Sequence, residues 1–308
     1  MTYELAKAGD SFCSPRNPVG YADRTVGSEA FRRDLECSLG RGRFSEARLQ
    51  ILEALKAIYK DEGVFRSGEA LRLWDSCRCA KSCWEGLSDD LKPGFDDADS
   101  DLGAIPLPWV GEFYEPRGVV VVAINLHRAS GFYIEYEIAA EQLRVLASGG
   151  KRPHGGPLAY GSARAASAVL ESAAGRSGHI FEAADELAMV LDRTARLQAV
   201  KCSRNDHLSP RTDSMKTNCP PLYLRRELAV LKPSVVVNLG NEAWDAIDAI
   251  GDIDESVPGD HFSRSRVRVE DLSFEMVWLH HPAARNGLWE VSLDLLLSNL
   301  AEHPIGTP

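Results

Sequence analysis

Four short apolar runs, separated by helix-patterned stretches, constrain the fold of this chain more than any other feature. They are GVVVVAIN (Gly118–Asn125), ARLQAVKC (Ala195–Cys202), PSVVVNLG (Pro233–Gly240) and SFEMVWLHHP (Ser273–Pro282). None alternates strictly between apolar and polar residues, as a strand wetted on one face does, so each reads as a strand covered on both faces. SARAASAVLESAAG (Ser162–Gly175) and PPLYLRRELAVLK (Pro220–Lys232) read as helices, the second with prolines suited to a first turn. This alternation predicts the α/β class: a three-layer α/β/α sandwich with a central, mostly parallel four-stranded sheet. Such sheets place their sites in the turns where strands end.

Residues 1–66 read as an N-terminal helical extension to a main domain over 67–308. Within it, FSEARLQILEALKAIYKDEG (Phe44–Gly63) has apolar residues at helical spacing, Ser45 as N-cap and Gly63 as stop. That pattern predicts an amphipathic helix packed on the main domain. No apolar run approaches the roughly 18 residues a membrane span needs. The first residues, MTYELAKAGDSF, lack a charged segment followed by an apolar one, which predicts a cytoplasmic protein. A monomer with no membrane partner is expected.

A formal charge of −10 argues against broad coating of nucleic acid, because phosphate neutralisation needs clustered Lys and Arg. A local basic groove is still compatible with it. Acidic residues concentrate in SDDLKPGFDDADSD (Ser88–Asp101), away from Arg204, Arg211, Arg225 and Arg226. Seven cysteines in a reducing compartment do not suggest a disulfide framework. Cys13 and Cys37 stand alone. Cys77, Cys79 and Cys83 in SCRCAKSCW, with Cys202 and Cys219, read as one thiolate site assembled from distant segments, a ligand set compatible with tetrahedral Zn²⁺ or an iron–sulfur cluster.

GVVVVAINLH, LQAVKCSRN, NCPPLYLRRELAVLKPSVVVNLG and WLHHPAARN stand in an order that resembles the uracil-DNA glycosylase superfamily, in particular its iron–sulfur-containing branches, as a divergent member. The resemblance covers about residues 70–300 and leaves residues 1–66 outside. It implies a [4Fe–4S] cluster, with Zn²⁺ as the alternative, held by four of Cys77, Cys79, Cys83, Cys202 and Cys219. Cys202 and Cys219 match the second cysteine pair of those branches. For the first pair the usual two-residue gap is absent, leaving one spare among Cys77, Cys79 and Cys83.

The activity it implies is hydrolysis of the N-glycosidic bond of a base flipped out of DNA. Asn125 in AINLH matches a water-positioning asparagine, with His127 as a base or phosphate contact. His281, before Pro282-Ala283, matches the histidine that stabilises the departing base. Arg285 falls on the loop that enters the minor groove. Arg204, Lys201 and Arg211, with Lys216, Arg225 and Arg226, are expected to line the DNA-facing side. Where those branches read the pyrimidine edge with asparagine, this chain has Gln198, one methylene longer. Tyr160 in GGPLAYGSARA is the nearest ring to the expected base platform, with Ala159 where Phe is usual, and Phe132 and Tyr133 are rival platforms.

Gln198, Ala159 and the altered first motif together imply a reshaped pocket. The expectation is a monofunctional glycosylase for a non-standard pyrimidine, including a bulky modified cytosine such as the glucosylated hydroxymethylcytosine of phage DNA, in anti-phage defence. The alternatives are an ordinary uracil-DNA glycosylase of base-excision repair and a noncatalytic iron–sulfur module that binds nucleic acid. One branch links covalently to DNA through its histidine, but the basic loop it carries before that residue is not evident here.

Overall fold

The computed structural model describes residues 46–62, 80–83, 85, 108–124, 156–201, 213–257 and 260–306. Its strands are β1 (Trp109–Val110), β2 (Val119–Ala123), β3 (Thr194–Gln198), β4 (Val235–Leu239), β5 (Asp252–Val257), β6 (Phe262–Val269) and β7 (Leu272–Leu279). They form one seven-stranded sheet in the order β1-β3-β2-β4-β7-β6-β5, so the fold is mixed α/β. The four apolar runs of the sequence are β2, β3, β4 and β7. Their mutual pairings are all parallel, and they stand side by side.

The four-strand expectation is too small. β1 pairs antiparallel with β3, and β5 and β6 extend the other side as an antiparallel meander from β7. These strands escape a search for runs buried on both faces. In β6, Val267 and Val269 are buried while Arg266 and Arg268 face solvent, the alternation of a strand wetted on one side.

Helices cover both faces. Val120, Val122 and Val236 face a core shared with α1 (Glu46–Asp61), α6 (Arg225–Leu231) and α7 (Asn241–Asp248). Val119, Val121, Val235 and Val237 face a second core, with α3 (Gly156–Ala173) and α8 (Leu288–Glu302). Two further helices are α2 (Ala80–Cys83) and α4 (Ala184–Arg193). Among the described residues, no helix is long and apolar enough to cross a membrane.

Helix α1 matches the predicted span closely and packs Ile51, Leu55, Ile58 and Tyr59 into the first core. Its Arg48 donates to the Val110 carbonyl from Nε at 3.0 Å and Nη2 at 2.7 Å, tying the helix to the sheet edge. The helix expected to open at Pro220 instead begins with α5 (Asp213–Cys219), widens into a π-helical turn over Pro220–Leu224 and continues as α6. Pro220 and Pro221 therefore lie inside a helical run rather than in its first turn. Two prolines there remove backbone donors and crowd the preceding carbonyls, and the widened turn accommodates both effects.

Candidate functional site

Parallel strands bring their C-terminal ends to one edge. Ala123 pairs with Gln198 on one side and Leu239 on the other, and Leu239 pairs with Leu279. One row therefore closes the four central strands, and the next residues, Ala199, Ile124, Gly240 and His280, step off the sheet together. The Ala199 and Val200 amides still donate to the Ala123 and Ile124 carbonyls at 2.8 Å each. Gly240 has φ +90°, a conformation only glycine adopts freely, and a Cβ there would lie 3.5 Å from the Cβ of His281.

His281 opens a tight turn. The Ala284 amide donates to the His281 carbonyl at 2.7 Å, with Pro282 at the turn position its fixed φ suits. The Ala283 amide donates to Nδ1 of His281 at 3.1 Å. Nδ1 is thereby an acceptor, so in the neutral ring the proton resides on Nε2. Pro282 packs into α3 at Gly161, where an added Cβ would stand 2.6 Å from the proline Cβ and 2.7 Å from its Cγ. Arg285 is exposed, two residues before Gly287, whose φ of +72° precedes α8.

Gln198 is buried, 3% exposed, on the sheet face it shares with its partner Ala123. Strands β3 and β7 are three strand spacings apart, about 14 Å, with β2 and β4 between them. Strand β2 runs out through Ile124, directly before Asn125. Tyr160 lies on α3 next to Gly161; its hydroxyl donates to Glu182 at 2.7 Å, and the Arg164 guanidinium sits 5.5 Å from its ring centroid. Arg164 in turn meets Glu182 at 2.8 Å and Glu290 at 3.2 Å, which binds α3 to α8 beside the His281 turn.

His280 is directed away from His281. Its amide donates to Ser292 Oγ at 3.2 Å, its Nε2 lies 3.1 Å from Nδ1 of His261, and its ring meets Trp278 edge-on at 5.0 Å. Burial, and then His261, lower its pKa below the ordinary 6.5.

On the opposite sheet face, α2 packs on α5. The side-chain Nδ2 of Asn218 donates to Cys83 Sγ at 3.6 Å and to Ser82 Oγ at 3.0 Å, and Cys83 Sγ lies 3.8 Å from the Ser214 carbonyl. Asn218 is the residue before Cys219, so the two described cysteines of the five, both fully buried, sit on packed helices. The helices that carry Cys83 and Cys219, more than a hundred residues apart in sequence, thus pack against each other. Asn125, His127, Phe132, Tyr133, Cys77, Cys79, Cys202, Arg204 and Arg211 lie outside the described residues.

One expected DNA contact needs correction. Lys201 is fully buried, its Nζ 2.8 Å from Glu227 Oε2, so its charge is spent inside the protein and does not face phosphate. Glu227 also accepts a hydrogen bond from the Tyr59 hydroxyl. Other cations expected on the DNA side are paired as well: Lys216 with Glu242 at 2.8 Å, Arg225 with Glu270 at 3.5 Å, and Arg226 with Asp61 at 2.7 Å and Glu62 at 3.0 Å.

Tyr59, Glu227, Gly161, Arg164 and His261 escaped the motif reading because their roles arise from contacts between distant elements. Glu227, Tyr59, Gly161 and Arg164 each lie within a stretch quoted above, but the partners that give them their roles lie on other elements. No protein-family model matches this chain, and a search of the curated proteins finds no match.

Proposed function

We propose that this protein is a monofunctional DNA glycosylase, built as a three-layer α/β/α sandwich, that releases a flipped-out non-standard pyrimidine, with a pocket that admits a bulky modified cytosine. The observation that carries the reading is the tautomer of His281. Its Nδ1 accepts from the Ala283 amide, which leaves an Nε2–H donor at the edge where the four parallel strands end. A neutral imidazole donor stabilises a departing base anion without becoming a formal acid.

In this mechanism the bond from the sugar C1′ to the base nitrogen breaks with its electron pair leaving on the base. His281 donates a hydrogen bond from Nε2 to the base oxygen on which that charge develops. Asn125 orients a water through its side-chain carbonyl, the water adds to C1′ of the oxocarbenium-like sugar, and the proton it sheds passes through solvent to the base anion. The products are the free base and an abasic site. Gln198 reads the base edge, and Arg285, exposed beside the His281 turn, contacts the opened duplex. Four of Cys77, Cys79, Cys83, Cys202 and Cys219 would hold a [4Fe–4S] cluster, which would supply a structural clamp, with Zn²⁺ as the alternative ion; the packing of the helices that carry buried Cys83 and Cys219 is compatible with this ligand set.

The test is abasic-site formation on duplexes carrying uracil, hypoxanthine, hydroxymethylcytosine or glucosylated hydroxymethylcytosine. The expected result is release of the modified cytosine, reduced by about 10²–10³-fold in His281→Ala and Asn125→Ala. Rapid release of uracil with glucosylated DNA ignored overturns the bulky-base pocket. DNA binding with no release of any base overturns the enzyme.

A further inference from the structure

The segment that carries His281 leaves α3 and comes back to it. Pro282 and Trp289 both lie against Gly161: a Cβ added there would stand 2.6 Å from the Pro282 Cβ and 3.1 Å from Cζ2 of Trp289. Arg164 is three residues further along α3, so the two positions share a face of that helix. Glu290, next to Trp289 in the first turn of α8, accepts from Nη1 of Arg164, at 3.2 Å on Oε2 and 3.4 Å on Oε1. Residues 283–288 are therefore closed at both ends by neighbouring points on one helix.

The guanidinium is held from its other side as well. Its Nη2 donates to Glu182 Oε1 at 2.8 Å, and the Tyr160 hydroxyl donates to the second Glu182 oxygen at 2.7 Å. The Arg164 side chain is 14% exposed, whereas those of Glu182 and Glu290 are each 56% exposed. Ion pairs with partners so exposed contribute little to stability. Direction accounts for the arrangement better. A planar fork with both prongs occupied has a fixed orientation, which a lysine in its place does not supply.

We propose that Arg164 is a positioning residue for His281: by bracketing the turn between α3 and α8 it keeps the Ala283 amide on Nδ1, and so the proton on Nε2. The effect on the His281 proton follows from these contacts alone, while its consequence for base release rests on the glycosylase reading.

The experiment uses the full chain labelled with nitrogen-15 at neutral pH. Long-range imidazole correlation spectra read which His281 nitrogen carries the proton, and the His281→Gln spectrum identifies its signals. Base release is followed in single turnovers on the duplexes above, DNA affinity by anisotropy and folding by far-UV circular dichroism. Arg164→Gln removes the fork, Glu290→Ala cuts the arm to α8 at an exposed position, and Arg164→Lys keeps the charge without the fork. The parent is expected to show the Nε2–H form. Arg164→Gln and Glu290→Ala are expected to stay folded and to show a mixture of both forms. Their base release is expected to slow about a hundredfold at unchanged DNA affinity, the cost of a reacting group misplaced by about 1 Å. Arg164→Lys is expected to recover only part of the rate. Combining Arg164→Gln with Glu290→Ala is expected to add nothing further, because both open the same bracket. A parent with the proton on Nδ1, folded variants that keep the parental tautomer, or full recovery in Arg164→Lys each overturn the positioning role. A parent that releases no base, with variants that still shift the tautomer, overturns the glycosylase reading and leaves the bracket standing.

Discussion

The Ala283 amide decides which nitrogen of His281 carries the proton, and the turn that places this amide is braced from α3. Gly161→Ala tests the brace, because the new Cβ would overlap the Pro282 ring. The expected cost is about 1–3 kcal/mol of stability, as for other overpacked contacts, and a fall in base release larger than the fall in DNA affinity. Denaturant melts and single-turnover assays read the two effects separately. At the neighbouring His280 the lowered pKa means that the folded protein binds fewer protons than the unfolded chain below pH 6.5. Its contribution to stability is therefore present above 6.5 and lost as the pH falls through the folded value. His280→Gln, which cannot titrate, is expected to flatten the fall in melting temperature between pH 7.5 and pH 5. A variant curve parallel to the parent's would refute the link.

Helix α1 shows how an element outside the four apolar runs enters the core. Its apolar stripe places Ile58 and Tyr59 side by side against the helical run from Asp213 to Leu231. Ile58→Ala is expected to cost about 2–5 kcal/mol, the range for large-to-small core changes, measured as a shift in the urea midpoint. That stripe was legible in the sequence because the 3.6-residue period belongs to the helix itself. The four central strands were legible because burial on both faces leaves a continuous apolar run. The meander was not, since Arg264, Arg266 and Arg268 interrupt β6, and DIDESV in β5 resembles a loop. Nor was the start of α5: Pro220-Pro221 signals a helix beginning, and the widened turn that absorbs it has no local signature. At the site, His281 and Gln198 could be named from motif context. The burial of Lys201 could not, because its partner Glu227 is distant in sequence and a Lys-Cys step in a loop has the pattern of a surface contact.

For the whole molecule, charge sets the terms on which DNA can be held. Lys201, Lys216, Arg225 and Arg226 are each held against a carboxylate of the protein itself, and the formal net charge is −10. If Arg285, Arg204 and Arg211 carry the contact, log K should fall with log salt at a slope of about −3. Fluorescence anisotropy across a salt series measures this, and a slope steeper than about −6 would reveal a broader basic groove. The sheet also has a history written in its two kinds of pairing. Strands β5, β6 and β7 are joined by short turns, whereas β2 and β3 pair only after a crossover spanning Ile124 to Arg193. Closing a long loop precedes any reward from the contacts it permits, so distant parallel pairing is slow. The meander should therefore assemble first and offer β7 as a template on which β4 and then β2 dock. Pulse-labelled hydrogen exchange during refolding is expected to protect amides in Phe262–Leu279 before those in Val119–Ala123. The edge where the four parallel strands end would then be the last part of the sheet to close.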